Sequence, residues 1–446
     1  MPDIVKLLLK AGADPNKTNK NGVTALMLAS HYGYREILLV LLETKAKIDL
    51  ADNYGWTALM HAAKKGNTDI VKDLIAAKAN SDLAEKNGWT ALMLAVEDGQ
   101  KDVVKALLNA QANVDLASNK GITALMLAAY DGQSGLVKVL LEAKAKVNLK
   151  DKDGWTALMF AAQEGHTNIV KDLVVAGADA NSQDNKRNTA LMLAAQNGHK
   201  EIVKILLASQ ADVNLANENG WTALMSAAMN GHSEIVGYLL EGGADVDSTT
   251  RQGVTALMLA ASNGHREAVK TLLRADAKID LADNEGWTAL MTAAKSGHSE
   301  IVRYLLESGA EVDFATKQGV TALMLAANYG HLEVLKALLR AKAKVDLSDK
   351  EGWTALIYAA HEGQKEIVKS LLGVKAKVDL ADKDGWTALM HAAVKGHTEV
   401  VKLFIGAGAD INKINKEGDD ALSLAQKKGF KDIVELLSKA KGPTIF

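Results

Sequence analysis

A stretch that returns every 33 residues restricts what this chain can fold into more than any other feature of it. Thr-Ala-Leu-Met begins at Thr24, Thr57, Thr90, Thr123, Thr156, Thr189, Thr222, Thr255, Thr288, Thr321 and Thr387; at Thr354 the fourth residue is Ile357, and at Asp420 the run reads Asp-Ala-Leu-Ser. A supersecondary element of this length cannot bury its apolar face alone. It must stack on its neighbours, so the period predicts an α solenoid in which each copy touches only the next.

The copy at 283–315 shows what one repeat builds. Leu290, Ala293 and Ala294 fall at helical spacing, as do Ile301, Val302, Leu305 and Leu306, which predicts two short helices with one apolar face each. Gly297 separates them. Thr288 stands where a hydroxyl caps the first helix, and Gly309 where a residue of positive φ stops the second. The first alanine of the small Ala293-Ala294 pair recurs in all thirteen repeats, from Ala29 to Ala425, so neighbouring helices can approach closely. The remaining linker, polar with Val and Asp ahead of a Gly, suits a β-turn or a short hairpin finger.

This pattern resembles the ankyrin repeat, a β-turn plus two helices with a period of 33 and the signature T-P-L-H-x-A. The resemblance spans nearly the whole chain and implies stacked helix-turn-helix repeats with β-turn fingers. Ala289 stands where the family has Pro, and Met291 where it has His; alanine is the better helix former, so the fold expectation stands. A third departure places Lys45, Lys78, Gln111, Lys144, Gln210, Lys342 and Lys375 where the family favours the helix-ending Gly. A left-handed conformation costs such residues energy, so these turns are expected to be strained or differently shaped. Arg187 breaks the Gly that otherwise precedes the Thr by two residues, which suggests a locally altered turn.

Residues 1–18 match only a second helix and its turn, leaving Ile4, Leu7 and Leu8 without a first helix of their own; this is expected of a segment of a longer protein, or of a makeshift cap. Residues 19–414 hold twelve repeats, 415–438 a capping repeat with Gln426, Lys427 and Lys428 in place of small residues, and 439–446 a tail. A single repeat domain of 446 residues is the natural reading, since a solenoid has no size limit.

With 52 basic against 54 acidic side chains there is no electrostatic case for nucleic acid or an anionic membrane. Cysteine is absent, apolar runs such as 37–42 are too short to span a bilayer, and no secretory signal pattern opens the chain. A cytoplasmic location, with the nucleus open, and a monomer follow as expectations. Seven repeats place His after the central Gly: His166, His199, His232, His265, His298, His331 and His397. Copies one layer, roughly 8–10 Å, apart cannot share a metal, and the plainer account is that this residue starts the second helix. His31, His61, His361 and His391 lie on other faces, without the i, i+4 spacing of a helical zinc site. Asp52, Asp151, Asp283, Asp349 and Asp382 recur beside Gly as turn residues. No phosphate loop, nucleophile elbow or kinase signature occurs; neither an enzyme nor a bound cofactor or metal is expected.

The variable positions of the first helix are the residue after Met291 and the pair before Gly297, namely Thr292, Lys295 and Ser296, which share one face. In the ankyrin resemblance this face lines a concave groove together with the residue before the Thr. That residue is Trp56, Trp89, Trp155, Trp221, Trp287, Trp353 or Trp386 in seven repeats, and from Ile122 to Trp353 Trp alternates with Ile122, Asn188, Val254 and Val320. The residue after Met alternates in step: Leu127, Phe160, Leu193, Ser226, Leu259, Thr292, Leu325, Tyr358. Two accounts fit, duplication of a repeat pair with each Trp packing structurally, or anchors roughly 20 Å apart for a partner, since Trp is enriched at interface hot spots. With Tyr130, Phe160, Thr292, Lys295, Tyr329, Tyr358 and His361, these tryptophans are the expected protein-binding residues. The function expected is a scaffold or recruitment module for a protein or extended peptide; the rival is an ankyrin segment of a larger enzyme or channel, used for recruitment or tethering. The last residues, Gly442-Pro443-Thr444-Ile445-Phe446, resemble a C-terminal ligand of PDZ domains, with an idle tail the favoured alternative.

Overall fold

A computed structural model of the protein describes residues 2–441, and the PDZ-like terminus lies outside them. The chain divides into two compact units, 1–218 and 219–446. Among the described residues the first unit holds thirteen helices, from Pro2–Lys10 to Lys200–Ala208, and the second fourteen, from Ala223–Met229 to Lys431–Lys441. Within each unit, first helices stack on first helices, and second helices pack against their own first helix and each other. This is the stacked helix-pair architecture that the period predicts. The last helix continues to Lys441, so the first three residues assigned to the tail are helical.

The threonine that opens each repeat is extended, and its hydroxyl accepts the backbone N–H three residues on. In all twelve copies that bond is 3.2–3.4 Å long. Asp420 does the same for Ser423 at 2.7 Å. At Thr24, Thr123, Thr321 and Thr387 the methionine sulfur accepts the threonine N–H in return at 3.4–3.5 Å, a thioether version of the reciprocal cap usually made by Glu. Ala293, Ala294, Val302 and Leu305 are wholly buried, and their counterparts in the inner repeats are buried too, whereas at the ends Val5 and Val434 are half-buried and Leu8 and Gln426 exposed. Leu306, expected on the same apolar face, is only half-buried.

The fingers are turns rather than paired strands. Among the described residues only isolated antiparallel bridges form, such as Ala315 with Thr321 and Ala381 with Thr387. Fingers are pinned from inside by the side chain that opens them: Asp283 Oδ1 accepts the N–H of Glu285 and of Trp287, both at 2.8 Å, Asp52, Asp151, Asp349 and Asp382 repeat the pattern, and Asn19, Glu85, Ser118, Thr250 and Asn415 take the same place in other fingers. Successive fingers are joined by backbone bonds, for example Lys317 N–H to Glu285 O at 2.9 Å.

One turn expectation is narrowed and two, for Lys45 and Arg187, are corrected. Lys78, Gln111, Lys144, Gln210, Lys342 and Lys375 are left-handed, with φ from 62° to 71°, yet keep the hydrogen bonds of their glycine counterparts. Lys144 N–H reaches Leu141 O at 2.9 Å and Ala145 N–H reaches Leu140 O at 3.0 Å, as Gly309 and Ala310 do at 3.1 and 3.0 Å. The turns are strained, not reshaped. Asp276 joins them at φ 61°, whereas Lys45 stays out of the left-handed region because its helix, Arg35–Leu42, closes earlier, with Thr44 Oγ1 donating to Leu41 O at 2.6 Å. Arg187 adopts φ 65° and donates to Asp184 O at 2.9 Å, so its turn keeps the form that glycine makes elsewhere.

Candidate functional site

Within each unit the variable positions of the first helices lie along one face, a repeat contributing the residue before its Thr, which is Trp in seven repeats, the residue after Met and the pair before Gly; some residues after Met, such as Leu94, Leu325 and His391, are buried. All seven tryptophans are half-buried, neither in the core nor free of it. Four of them pack on the residue five positions on in the same repeat, the one after Met or its equivalent. Ring centroids are 5.2 Å apart for Trp56 and His61, 5.1 Å for Trp155 and Phe160, 5.0 Å for Trp353 and Tyr358, and 5.3 Å for Trp386 and His391.

In the first unit these side chains open a groove of about 570 Å³ whose walls include Trp89, Ile122, Leu127, Tyr130 and Phe160. Tyr130 is half exposed and meets Phe160 edge-on at 6.0 Å. Beside the groove, on the pair position, Glu97, Asp98 and Asp131 form an acidic rim in which Lys64 bridges Glu97 at 2.6 Å and Asp98 at 3.6 Å. Burial, and then the charge of Glu97, raise the Asp131 carboxyl above its ordinary value.

In the second unit Lys295 sets its ammonium 5.2 Å from the Trp287 ring and 5.9 Å from that of Tyr329, so a cation lies between two aromatic faces. Thr292 is spent on the backbone: its hydroxyl lies 2.9 Å from Ala289 O and 3.3 Å from Met258 O. Tyr358 donates to Asp349 Oδ2 at 2.6 Å, and burial together with that bond pushes its hydroxyl pKa up. Trp353 packs on His361 at 5.1 Å as well. Trp221 sits half-buried in the equivalent place of its repeat.

The histidines after the central glycine occupy the N-cap of the second helix without capping it. Their rings reach back to the preceding repeat instead. His166 Nε2 lies 2.9 Å from Tyr130 O, and His199, His265, His298, His331 and His397 make the same bond at 2.9–3.0 Å. This also requires the glycine: a Cβ on Gly297 would stand 2.7 Å from His331 Cε1. The reading of these residues as structural holds, and they are in addition clamps between repeats.

Sequence spacing alone did not bring out a different meeting of histidines. His31 faces His61, and His361 faces His391, with centroids 5.5 and 5.4 Å apart. The signal was present, because the residue after Met in one repeat stacks on the first residue of the pair in the repeat before. Burial chiefly lowers all four histidine pKa values. Among the described residues no group of three or more His, Asp or Glu is placed to hold a metal ion, and no helix is long and apolar enough to cross a membrane.

The family model described as ankyrin repeats, three copies, matches overlapping segments 1–83, 60–151, 92–184, 133–217, 158–250, 242–316, 308–382 and 363–445. No curated protein matches the chain. With helix pairs, fingers and caps in register along both units, the chain belongs to the ankyrin-repeat family, whose repeats are in general protein–protein interaction modules and typically non-catalytic.

Proposed function

We propose that the protein is a recognition module that binds a protein or an extended peptide on the first-helix side of its repeats, as a scaffold or recruitment element. The aromatic groove at Trp89, Tyr130 and Phe160 carries this reading: it presents apolar surface that the core does not use, beside an acidic rim. Aromatic anchors in a partly desolvated hollow are where interfaces concentrate their energy. The Trp287–Lys295–Tyr329 cluster offers a second anchor of different chemistry within the other unit. A photo-crosslinking residue placed at Tyr130 should give discrete adducts from a cell extract, while the same residue at Lys138, on the second helix, should not. Against the partner so defined, Trp89→Ala and Phe160→Ala, and Trp221→Ala, Trp287→Ala and Trp353→Ala in the second unit, should each weaken binding by more than about 1 kcal/mol with melting near wild type. Equal adducts from both positions, or large losses of stability with unchanged binding per folded molecule, would show that the ligand sits elsewhere.

A further inference from the structure

Thirteen repeats offer thirteen chances for His at each of the three variable positions of the first helix, and it occurs twice at two of them and never at the third. His31 and His361 stand first in the pair before the central Gly; His61 and His391 stand after the Met or its equivalent; and each of the former is followed one repeat later by one of the latter. Ten periods of 33 residues separate the two occurrences in the chain. The pairing places imidazole against imidazole.

The 361–391 pair has the more defined geometry. His361 Nδ1 and His391 Nδ1 are 3.3 Å apart, and His391 Nε2 lies 3.1 Å from Asp382 Oδ2 with both side chains 8% exposed. Trp353 covers the two rings at centroid distances of 5.1 and 4.6 Å. Two nitrogens bound to one tetrahedral ion at about 2.0–2.1 Å stand about 3.3–3.4 Å from each other. The pair is already at that span. Asp382 holds the Nε2 proton of a neutral His391, which leaves its Nδ1 to accept from His361 Nδ1–H; a metal ion takes the place of that proton, which passes to the His361 Nε2, and a carboxylate behind a histidine in this way orients metal-ligating rings. Burial, with the charge of Lys395 as a further cause, lowers the pKa of both histidines, so the neutral, ligating form prevails at neutral pH.

The 31–61 pair repeats the register with one difference. His61 Nε2 is 3.5 Å from Asp52 Oδ2, outside hydrogen-bond geometry, and both ring nitrogens of His61 are buried without a hydrogen-bond partner. They border a hollow of about 370 Å³ that His31 and Trp56 also line. A buried nitrogen left unpaired is a cost that a ligand can relieve.

We infer that His361 and His391 form a two-imidazole site for a borderline transition-metal ion such as Cu²⁺ or Zn²⁺, oriented by Asp382, and that His31 and His61 form a second, weaker copy. Imidazole suits both ions. The lone pairs converge on one ion once each ring turns by roughly 35° from the line between the nitrogens. Water completes the coordination. Two protein ligands and the nearby Lys395 ammonium keep the affinity well below that of a closed four-ligand zinc site.

Cu²⁺ titrated into the full chain tests this, read by the nitrogen splitting of its electron paramagnetic resonance and by quenching of tryptophan fluorescence, with Zn²⁺ as competitor. The expected result is a tighter site with two nitrogen ligands, displaced by Zn²⁺ and lost in either His361→Gln or His391→Gln. Asp382→Asn keeps an oxygen for the Trp386 N–H but loses the carboxylate, and should weaken binding about 10–100-fold. His298→Gln, whose ring is tied singly to a carbonyl, should leave the tighter site intact. His361 is partly exposed, so its variant is expected to fold even where His391→Gln does not. A signal from one nitrogen, or the same affinity in folded His361→Gln, would overturn the assignment.

Discussion

Replacing Lys144 with glycine should stabilise the first unit, and the magnitude can be worked from its turn. Lys144 sits at φ 62°, a region that costs a residue with a Cβ roughly 1–2 kcal/mol. At the same register, Gly177, Gly243, Gly309 and Gly408 have φ from 77° to 96°, and a Cβ added to any of them would meet nothing within 4 Å. The strain is therefore intrinsic to the backbone and not a clash with neighbours. Lys144 is exposed, so its side chain gives up little when removed. Against the relief stands glycine's greater freedom in the unfolded chain, about 0.5–1 kcal/mol. The net gain should be about 0.5–1 kcal/mol. Lys78→Gly, Gln111→Gly and Gln210→Gly should each add a similar amount, since each lies in a separate repeat and shares no partner with the others. Hydrogen exchange suits the assay better than one global melt, because repeat arrays depart from two-state behaviour; protection in helix Ser134–Glu142 should rise with Lys144→Gly. Lys45→Gly is the internal control: outside the left-handed region, it should gain nothing and lose roughly 0.5–1 kcal/mol. If Lys144→Gly is neutral or destabilising, or if Lys45→Gly stabilises equally, the strain argument is refuted.

Two further outcomes follow from buried residues. Ala260, wholly buried between stacked first helices, should cost about 1–3 kcal/mol when enlarged in Ala260→Leu, and melting of the chain should split into two transitions; one unchanged transition would count against stacking as the source of stability. The pKa of His391 is lowered by folding, so below about pH 6.5 the unfolded chain binds the proton more readily and stability falls with pH until the folded ring is also protonated; His391→Gln should flatten that acid limb of the urea midpoint, and an unaltered slope would show that this histidine does not contribute to it.

Much of the fold was legible because each position recurs. Thr288, Gly297, Ala293 and Ala294 announced cap, turn and close stacking, and all of these are present. What the pattern hid depends on contacts between copies, which a reading within one copy does not contain. The ring of His331 looks like a helix start in its own repeat, but its hydrogen bond lies on Lys295 O of the repeat before. Arg187 and Lys45 failed in opposite directions for a related reason. The first is held in the left-handed turn by the ladder of bonds around its finger, which outweighs its local preference. The second escapes because a single hydroxyl, that of Thr44, closes the helix early.

The alternation of tryptophan along the chain has a physical explanation once its partner is known. Trp155 and Trp353 pack on Phe160 and Tyr358, while the intervening repeats pair Ile122, Val254 and Val320 with Leu127, Leu259 and Leu325. Two residues that touch change together, so copying a pair of repeats would carry the combination forward intact; Trp89, with Leu94, shows that the combination is not obligatory. Packing inside the repeat and offering a face to a partner are therefore not competing accounts of these rings. A half-buried indole is held in place by its neighbour, loses little freedom on binding, and keeps one face for contact. On the proposed function, the side chains across the surface from it would decide what that contact is, an aromatic hollow beside carboxylates near Tyr130 and a lysine clasped between rings at Lys295. The repeated residues would then set the spacing of the anchors, and the variable ones their chemistry.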